Sequence, residues 1–372
     1  MIKVGIIGCG KIADQHAEQI QRIRGSEIVG VCDTEELMAK QMHERFPVKA
    51  YFSDPTRLLE VSQPHVVHIT TPPESHFELA KLCLEAGCNV YVEKPFTLNT
   101  EEAEKLIGLA VEKNLKLTAG HNSQFTHVAI RMRELIQNGF LGGPPVHMES
   151  YYCYNFGDPA YAKALLGDRN HWVRRLPGKL LQNIISHGIS KIAEFLTNDS
   201  PRVIAHGYSS PLLKSIDETG IIDELRVIIN DNNNATAYFT FSSQMSPTLH
   251  QFRIYGPRNS IIVDDDHQTL IKVNGARYKS YLNQFIPPYI YAKQYLGNSW
   301  DNMKKFMKRD FHMDSGMKVL IESFYRSVLG EAPVPISYRE ILLTAKIMDA
   351  IFAQLNSGHA CFSEEEIGER KA

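Results

Sequence analysis

With 372 residues the chain exceeds the length over which a single hydrophobic core keeps growing, so two domains are expected. Hydrophobic residues make up 43% and charged residues 22%, and the net charge of −2 provides no global field to attract nucleic acid or an anionic membrane. The chain opens on an apolar strand rather than a leader, no run approaches the roughly 18 apolar residues of a membrane span, and the six cysteines show no Cys-x-x-Cys pairing. A soluble, cytoplasmic protein with reduced thiols is the expectation.

The first strand, residues 4–7, empties directly into Gly8-Cys9-Gly10-Lys11-Ile12-Ala13, and a helical pattern follows over 12–23. Such a turn cradles phosphate. Gly8 permits the bend, Gly10 lets backbone N–H groups approach a pyrophosphate, and the small Ala13 lets the helix pack on the strand. A second apolar run, 28–32, ends in Asp33, about 20 residues beyond the turn, where a carboxylate accepts hydrogen bonds from an adenine-ribose diol and repels a 2′-phosphate. NAD is therefore expected rather than NADP.

A weaker strand at 49–52, a helix at 56–61 and a strand at 66–70 come next, the last broken by Thr71-Pro72-Pro73. A helix over 74–85, with His76 just inside it, leads to a strand at 89–92 and a second proline break, Glu93-Lys94-Pro95. A helix from Thr100, read as its N-cap, to Asn114 and a strand at 116–119 complete six strands with parallel crossovers. From Gly120 the alternation stops. After a helix at 128–137, two-periodic runs at 146–154, 202–209, 224–229, 235–242, 250–255, 260–264 and 269–273 read as mostly antiparallel strands joined by short Asn/Gly/Pro turns, with a helix at 180–196 inserted. Helices at 316–329 and 338–355 follow. The resulting division is a dinucleotide-binding domain over 1–120, a substrate and oligomerisation domain over 121–356, and a solvated tail over 357–372.

Lys94 ends a parallel strand at the sheet edge where ligands bind, so a partly desolvated amine would lie beside a nicotinamide ring, its acid strength raised toward a useful range. Asn183 and His187 stand four apart on the inserted helix, a polar stripe among Leu181, Ile184 and Ile185. One histidine and one amide fall short of a zinc or iron set, and no nucleophile elbow supports a Ser/His/Asp triad, so no metal is expected.

These residues resemble the glucose–fructose oxidoreductase, inositol dehydrogenase and rhizopine catabolism (Gfo/Idh/MocA) group of NAD(P)-dependent oxidoreductases over nearly the whole chain. The resemblance rests on the turn from Gly8 to Ala13, Thr71-Pro72 with His76, Glu93-Lys94-Pro95, Gly120-His-Asn122 with Phe125, Trp172, and the stretch from Gly178 to His187. It implies an α/β protein, a Rossmann domain followed by an α+β domain with a large, mostly antiparallel sheet. It also implies that Lys94 and His187 flank the oxidised carbon, that Thr71, Pro72, His76, Glu93 and Asn122 belong to the cofactor side, and that Trp172 belongs to the substrate side. Where such proteins commonly carry Asp, this chain has Asn183, which positions a hydroxyl but shares no proton.

The implied reaction passes hydride between the nicotinamide and a secondary alcohol or keto carbon of a sugar, sugar acid, cyclitol or nucleotide sugar. A dinucleotide sensor without catalysis is the alternative, against which intact Lys94 and His187 argue. Arg174, Arg175 and Lys179 gather near the site and read either as a solvated face or as an anchor for an anionic substrate. The aromatic and basic helix over 287–309 is expected to pack on the sheet domain or a sister subunit rather than on a membrane, and a homodimer or homotetramer is expected from the exposed sheet.

Overall fold

The computed structural model describes residues 1–157, 171–215, 220–232, 235–275, 278–308, 310 and 315–358; Arg309, Cys361 and the tail beyond 358 lie outside the described residues. The first half alternates β1 (Ile2–Ile7), α1 (Lys11–Gln21), β2 (Ser26–Cys32), α2 (Glu36–Arg45), β3 (Tyr51–Phe52), α3 (Pro55–Ser62), β4 (Val66–Ile69), α4 (His76–Glu85), β5 (Asn89–Val92), α5 (Thr100–Glu112) and β6 (Leu117–Ala119). All pairings are parallel, in the order β3-β2-β1-β4-β5-β6. The order reverses beside β1. A doubly wound sheet opens a crevice at the carboxyl ends of its strands at such a point. Because helices cover both faces, β1 and β4 are apolar runs buried along almost their whole length.

Two local readings are corrected. The helix α2 has no counterpart among the sequence expectations because only Ala39 and Met42 of its residues are buried, leaving little periodic signal. The cap of α5 is Asn99, one residue earlier than Thr100, with its side chain accepting from the Glu102 N–H at 2.9 Å.

The second half contains α6 (His127–Gln137), β7 (His147–Asn155), α7 (Lys179–Ile184), α8 (Ser186–Ala193), β8 (Arg202–Tyr208), α9 (Pro211–Ser215), β9 (Glu224–Asn230), β10 (Thr236–Ser242), β11 (Gln244–Tyr255), β12 (Asn259–Asp264) and β13 (Thr269–Asn274). The strands form one sheet in the order β13-β12-β11-β7-β10-β9-β8, antiparallel except where β10 runs parallel to β7. Overall the chain is α/β, a parallel sheet followed by a larger, mostly antiparallel one. Ile185, Ile189 and Ile192 bury one side of the α7–α8 segment against Phe239, Phe252 and Ile254 of the sheet. The approach is close: a Cβ on Gly188 would stand 2.3 Å from the Phe239 ring.

Three helices close the described chain: α10 (Ile286–Met307), α11 (Ser315–Val328) and α12 (Tyr338–Gly358). Although late in sequence, α11 returns to the first sheet and adds Leu320, Ile321, Phe324 and Tyr325 to its core. α10 lies along the free edge of β13. Its polar stripe, not its apolar one, faces the sheet: Gln294 bonds both backbone groups of Lys272, and Asn298 bonds both of Leu270. An unpaired strand edge needs donors and acceptors, which two amides one helical turn apart supply. Tyr289, Leu296, Trp300 and Phe306 are left exposed.

Candidate active site

The glycine turn stands at the carboxyl end of β1. Gly8 adopts φ +95°, and a Cβ there would lie 2.8 Å from the Thr70 carbonyl carbon and the Thr71 backbone nitrogen, so only glycine fits. Gly10, by contrast, faces open space, which leaves room for a ligand against the first turn of α1. Asp33 follows β2 and holds the turn, one carboxylate oxygen accepting from the Cys9 N–H at 2.7 Å and the other from the Glu35 N–H at 2.9 Å. Gly8, Gly10, Asp33, Thr71 and Pro72 together line a cleft of ≈ 490 Å³. Clefts of ≈ 390 and ≈ 450 Å³ beside α10 have no comparable glycine turn.

Other residues assigned to the cofactor side lie around this cleft rather than in its lining. Lys11 and Ile12 begin α1, and Ala13 is fully buried beneath it. His76 is buried, and its two ring nitrogens pair with the Thr71 and Pro95 carbonyls, each at 2.9 Å, tying the loop after β4 to the loop after β5. Burial lowers its pKa, while the two carbonyl contacts work against that shift. Glu93 also turns inward, its oxygens taken by His16 Nε2 at 2.9 Å and by the Lys94 backbone N–H at 3.2 Å. Asn122 opens a 3-10 turn, Asn122–Phe125, after β6.

Lys94, just after β5, reaches the α7–α8 segment of the second half. Its ammonium donates to the Asn183 backbone carbonyl at 3.0 Å and lies 3.4 Å from the Asn183 side-chain oxygen. The single helix expected over 180–196 is in fact two, α7 and α8, meeting at Ile185, where the Gly188 N–H bonds the Ile185 carbonyl and tightens the turn. At that junction the Asn183 carbonyl serves the lysine. Gln182 secures the contact by donating to the Leu98 carbonyl at 2.8 Å.

His187 opens α8 on the same side, its ring tilted against Tyr152 at 5.5 Å. Its Nδ1 is enclosed without a partner, which leaves Nε2 as the nitrogen free to meet a substrate. Burial, reinforced by the Lys94 charge and by His121, Lys191 and His250, holds its pKa well below the ordinary histidine value. Burial also pulls the Lys94 amine below its ordinary value, while the Glu93 charge works against that shift.

His121 is absent from the residues expected at the site. This ring is 2% exposed, neither nitrogen has a partner, and burial pushes its pKa down to about 4. The signal was present in Gly120-His-Asn122, whose asparagine alone was singled out. Of the cationic cluster, Arg174 and Arg175 lie in the 3-10 turn Trp172–Arg175, and Trp172 stacks on His171 at 5.4 Å. Arg175 makes a two-pronged bond with Glu74, both contacts at 3.1 Å, and Lys179 donates to the Gly220 carbonyl. Arg175 and Lys179 are therefore both engaged within the protein.

Residues 2–121 match the family model described as an oxidoreductase family with an NAD-binding Rossmann fold. This part of the chain belongs to the Gfo/Idh/MocA oxidoreductases. Similarity extends past the Gfo/Idh/MocA region to the myo-inositol 2-dehydrogenase of Thermotoga maritima, 23% identical over 311 residues, or 82% of this chain and 87% of that protein. The UDP-N-acetylglucosamine 3-dehydrogenase of Acidithiobacillus ferrooxidans is 37% identical over 149 residues, covering 40% of this chain and 44% of that protein. The WlbA dehydrogenase of Bordetella pertussis, solved with NADH and UDP-GlcNAcA, shares the fold at a TM-score of 0.74 and 16% identity, over 96% of each chain. The first two of these relatives are named for a cyclitol and a nucleotide sugar, and residues 2–121 of this chain fit an NAD-binding oxidoreductase family.

Proposed function

We propose that this protein is an NAD-dependent dehydrogenase of a secondary alcohol on a sugar, sugar acid, cyclitol or nucleotide sugar, with Lys94 and His187 handling the proton and Asn183 orienting the substrate. The observation that carries the reading is the contact of Lys94 with Asn183, which brings the charged end of β5 against the residue four positions before His187. The cleft fits a dinucleotide: Gly8 admits no side chain, Gly10 leaves space before a helix N-terminus, and Asp33 offers further acceptor positions for a ribose diol. When bound, nicotinamide supplies the hydride acceptor.

The chain's own groups supply the rest. Kept neutral by its surroundings, His187 accepts the hydroxyl proton at Nε2 as the O–H bond breaks and the carbon releases hydride. Lys94 donates to the same oxygen and stabilises the negative charge that grows there, in a partly desolvated setting where such a contact is stronger than in water. Asn183 holds the ammonium through its backbone carbonyl, and its side chain, 3.4 Å from the ammonium, is placed to orient the substrate hydroxyl. Glu93 and His76, both committed to internal bonds, position these loops rather than contact the nucleotide. We further infer a homodimer or homotetramer, with Ile204, Ile228 and Tyr238 on the open sheet face as the surface covered.

Titrating the protein with NADH by fluorescence and then screening polyols and nucleotide sugars for absorbance change tests the reading. Binding of NADH with turnover of one substrate class supports it. Tight NADH binding with no turnover across the screen would favour the dinucleotide-sensing alternative.

A further inference from the structure

Behind Lys94 lies an unbroken line of four buried polar side chains from four separate elements. Glu93 follows β5, His16 comes from α1, His68 from β4 and Tyr325 from α11, with exposures of 6%, 0%, 0% and 3%. Glu93 Oε1 is 2.9 Å from His16 Nε2, His16 Nδ1 is 2.8 Å from His68 Nδ1, and His68 Nε2 is 2.9 Å from the Tyr325 hydroxyl. Tyr91 lies flat on His68, with ring centroids 4.7 Å apart, and holds the line in place. The other Glu93 oxygen accepts the backbone N–H of Lys94.

The protons of this line follow from elementary counting. Burial works to protonate Glu93, but the hydrogen bond and charge of His16, with the Lys94 charge, prevail and hold its carboxyl below the ordinary value. An ionised Glu93 accepts only, so His16 Nε2 carries a hydrogen. Burial keeps His68 neutral. His16 Nε2–H therefore donates to Glu93, while one hydrogen is shared between His16 Nδ1 and His68 Nδ1 and another between His68 Nε2 and the Tyr325 hydroxyl. The tyrosine at the far end thereby helps to hold a negative charge at the near end, through bonds that strengthen one another away from water.

We propose that Tyr325, His68 and His16 form a positioning chain that fixes a negative charge on Glu93 directly behind Lys94 and thereby governs the lysine's proton exchange. The consequence for turnover rests on the dehydrogenase reading above; the control of the lysine does not. The charged and titratable groups facing Lys94 are Glu93 on its own loop, His187 from α8 and His121 after β6; those facing Glu93 are His16, Tyr91, His76, His121 and Lys94. Only Glu93 carries negative charge among them. Its loss leaves burial and the neighbouring imidazoles to act on the amine unopposed.

The test reads the lysine itself, without a substrate. Reductive methylation with carbon-13 formaldehyde labels the lysines, a Lys94→Arg variant identifies the Lys94 signal, and its titration midpoint is followed by NMR. Glu93→Gln should move that midpoint to lower pH by about one unit or more, a tenfold change in the exchange equilibrium. His16→Asn should move it in the same direction, and Tyr325→Phe, which removes one hydroxyl, should do so by a smaller amount. The signal of exposed Lys105 should stay fixed in all three. If Glu93→Gln and Tyr325→Phe both fold, as judged by circular dichroism, and leave the Lys94 midpoint unmoved, the proposal is overturned. Should His16→Asn fail to fold, those two variants still decide it. A midpoint that moves while no substrate is ever turned over would fault the dehydrogenase reading and leave the chain standing.

Discussion

Two polar clusters lie within a few residues of one another, and their hydrogen bonding differs in kind. In the line from Tyr325 through His68 and His16 to Glu93, every side-chain donor and acceptor atom has a partner. Around Lys94, on the side facing the second sheet, His187 Nδ1 and both nitrogens of His121 have none. An enclosed polar atom left unpaired costs about 1–3 kcal/mol. A fully paired cluster stabilises one arrangement of the fold, whereas an unpaired one persists where a ligand or a transient proton makes use of it. Experiments that treat the two clusters differently should therefore separate scaffold from chemistry.

The largest effect is expected at the unpaired cluster. Lys94→Ala and His187→Ala should each lower turnover by about 10²–10⁴-fold, the usual worth of a positioned acid or base, while NADH affinity stays within a few-fold. Because the His187 pKa is held well below its ordinary value, the acid limb of kcat/KM assigned to it should lie below the ordinary histidine range, with activity lost as pH falls through it. Steady-state kinetics across pH on a verified substrate checks both. Near-normal turnover of Lys94→Ala would move the chemistry elsewhere.

Next comes the acid sensitivity of His121. Its folded pKa of about 4 lies below the ordinary 6.5, so the unfolded chain binds a proton that the folded chain refuses. Stability is therefore intact above about pH 6.5 and falls as pH drops from there toward about 4, by about 3 kcal/mol in total for this one group. Urea melts at pH 7 and pH 4.5 should show a smaller loss on acidification for His121→Asn than for the unmodified protein. An equal loss in both would mean that other groups dominate.

A comparable effect, in stability alone, is expected where α10 covers the sheet edge. Asn298→Leu removes both amide bonds to Leu270 and should cost about 1–3 kcal/mol in a denaturant melt without changing kcat. The smallest change concerns cofactor choice. Asp33→Ser removes the carboxylate that would repel a 2′-phosphate and should narrow the preference for NADH over NADPH by about tenfold, the worth of one charged hydrogen bond. If the unmodified protein bound NADPH more tightly than NADH in one buffer, the role given to Asp33 would be wrong.

Much of this was readable from local sequence, for a physical reason. Gly8, Gly10, Ala13 and Asp33 are dictated by backbone geometry within one βαβ unit, and the seven strand segments after Gly120 announce themselves by alternation and short turns. His16 and His68 were visible as letters, and a histidine inside Val66-Val67-His68-Ile69 signals a buried partner, but the partner lies 257 residues away on α11. Periodicity placed α10 on the sheet domain, where it lies, but the packing face is the amide stripe of Gln294 and Asn298 rather than the apolar one.

The sequence by itself determined the dinucleotide turn, the parallel and antiparallel halves, and the identity of the charged residue at the end of β5. Tertiary structure alone decided that α7 and α8 part at Ile185, that Lys94 spends its hydrogen bonds on Asn183, and that Glu93 faces inward to His16. Spacing along a chain fixes which face a side chain shares with its near neighbours. Which buried polar atoms find partners depends on groups brought together from α1, β4, β5 and α11, and only the packed core settles that count.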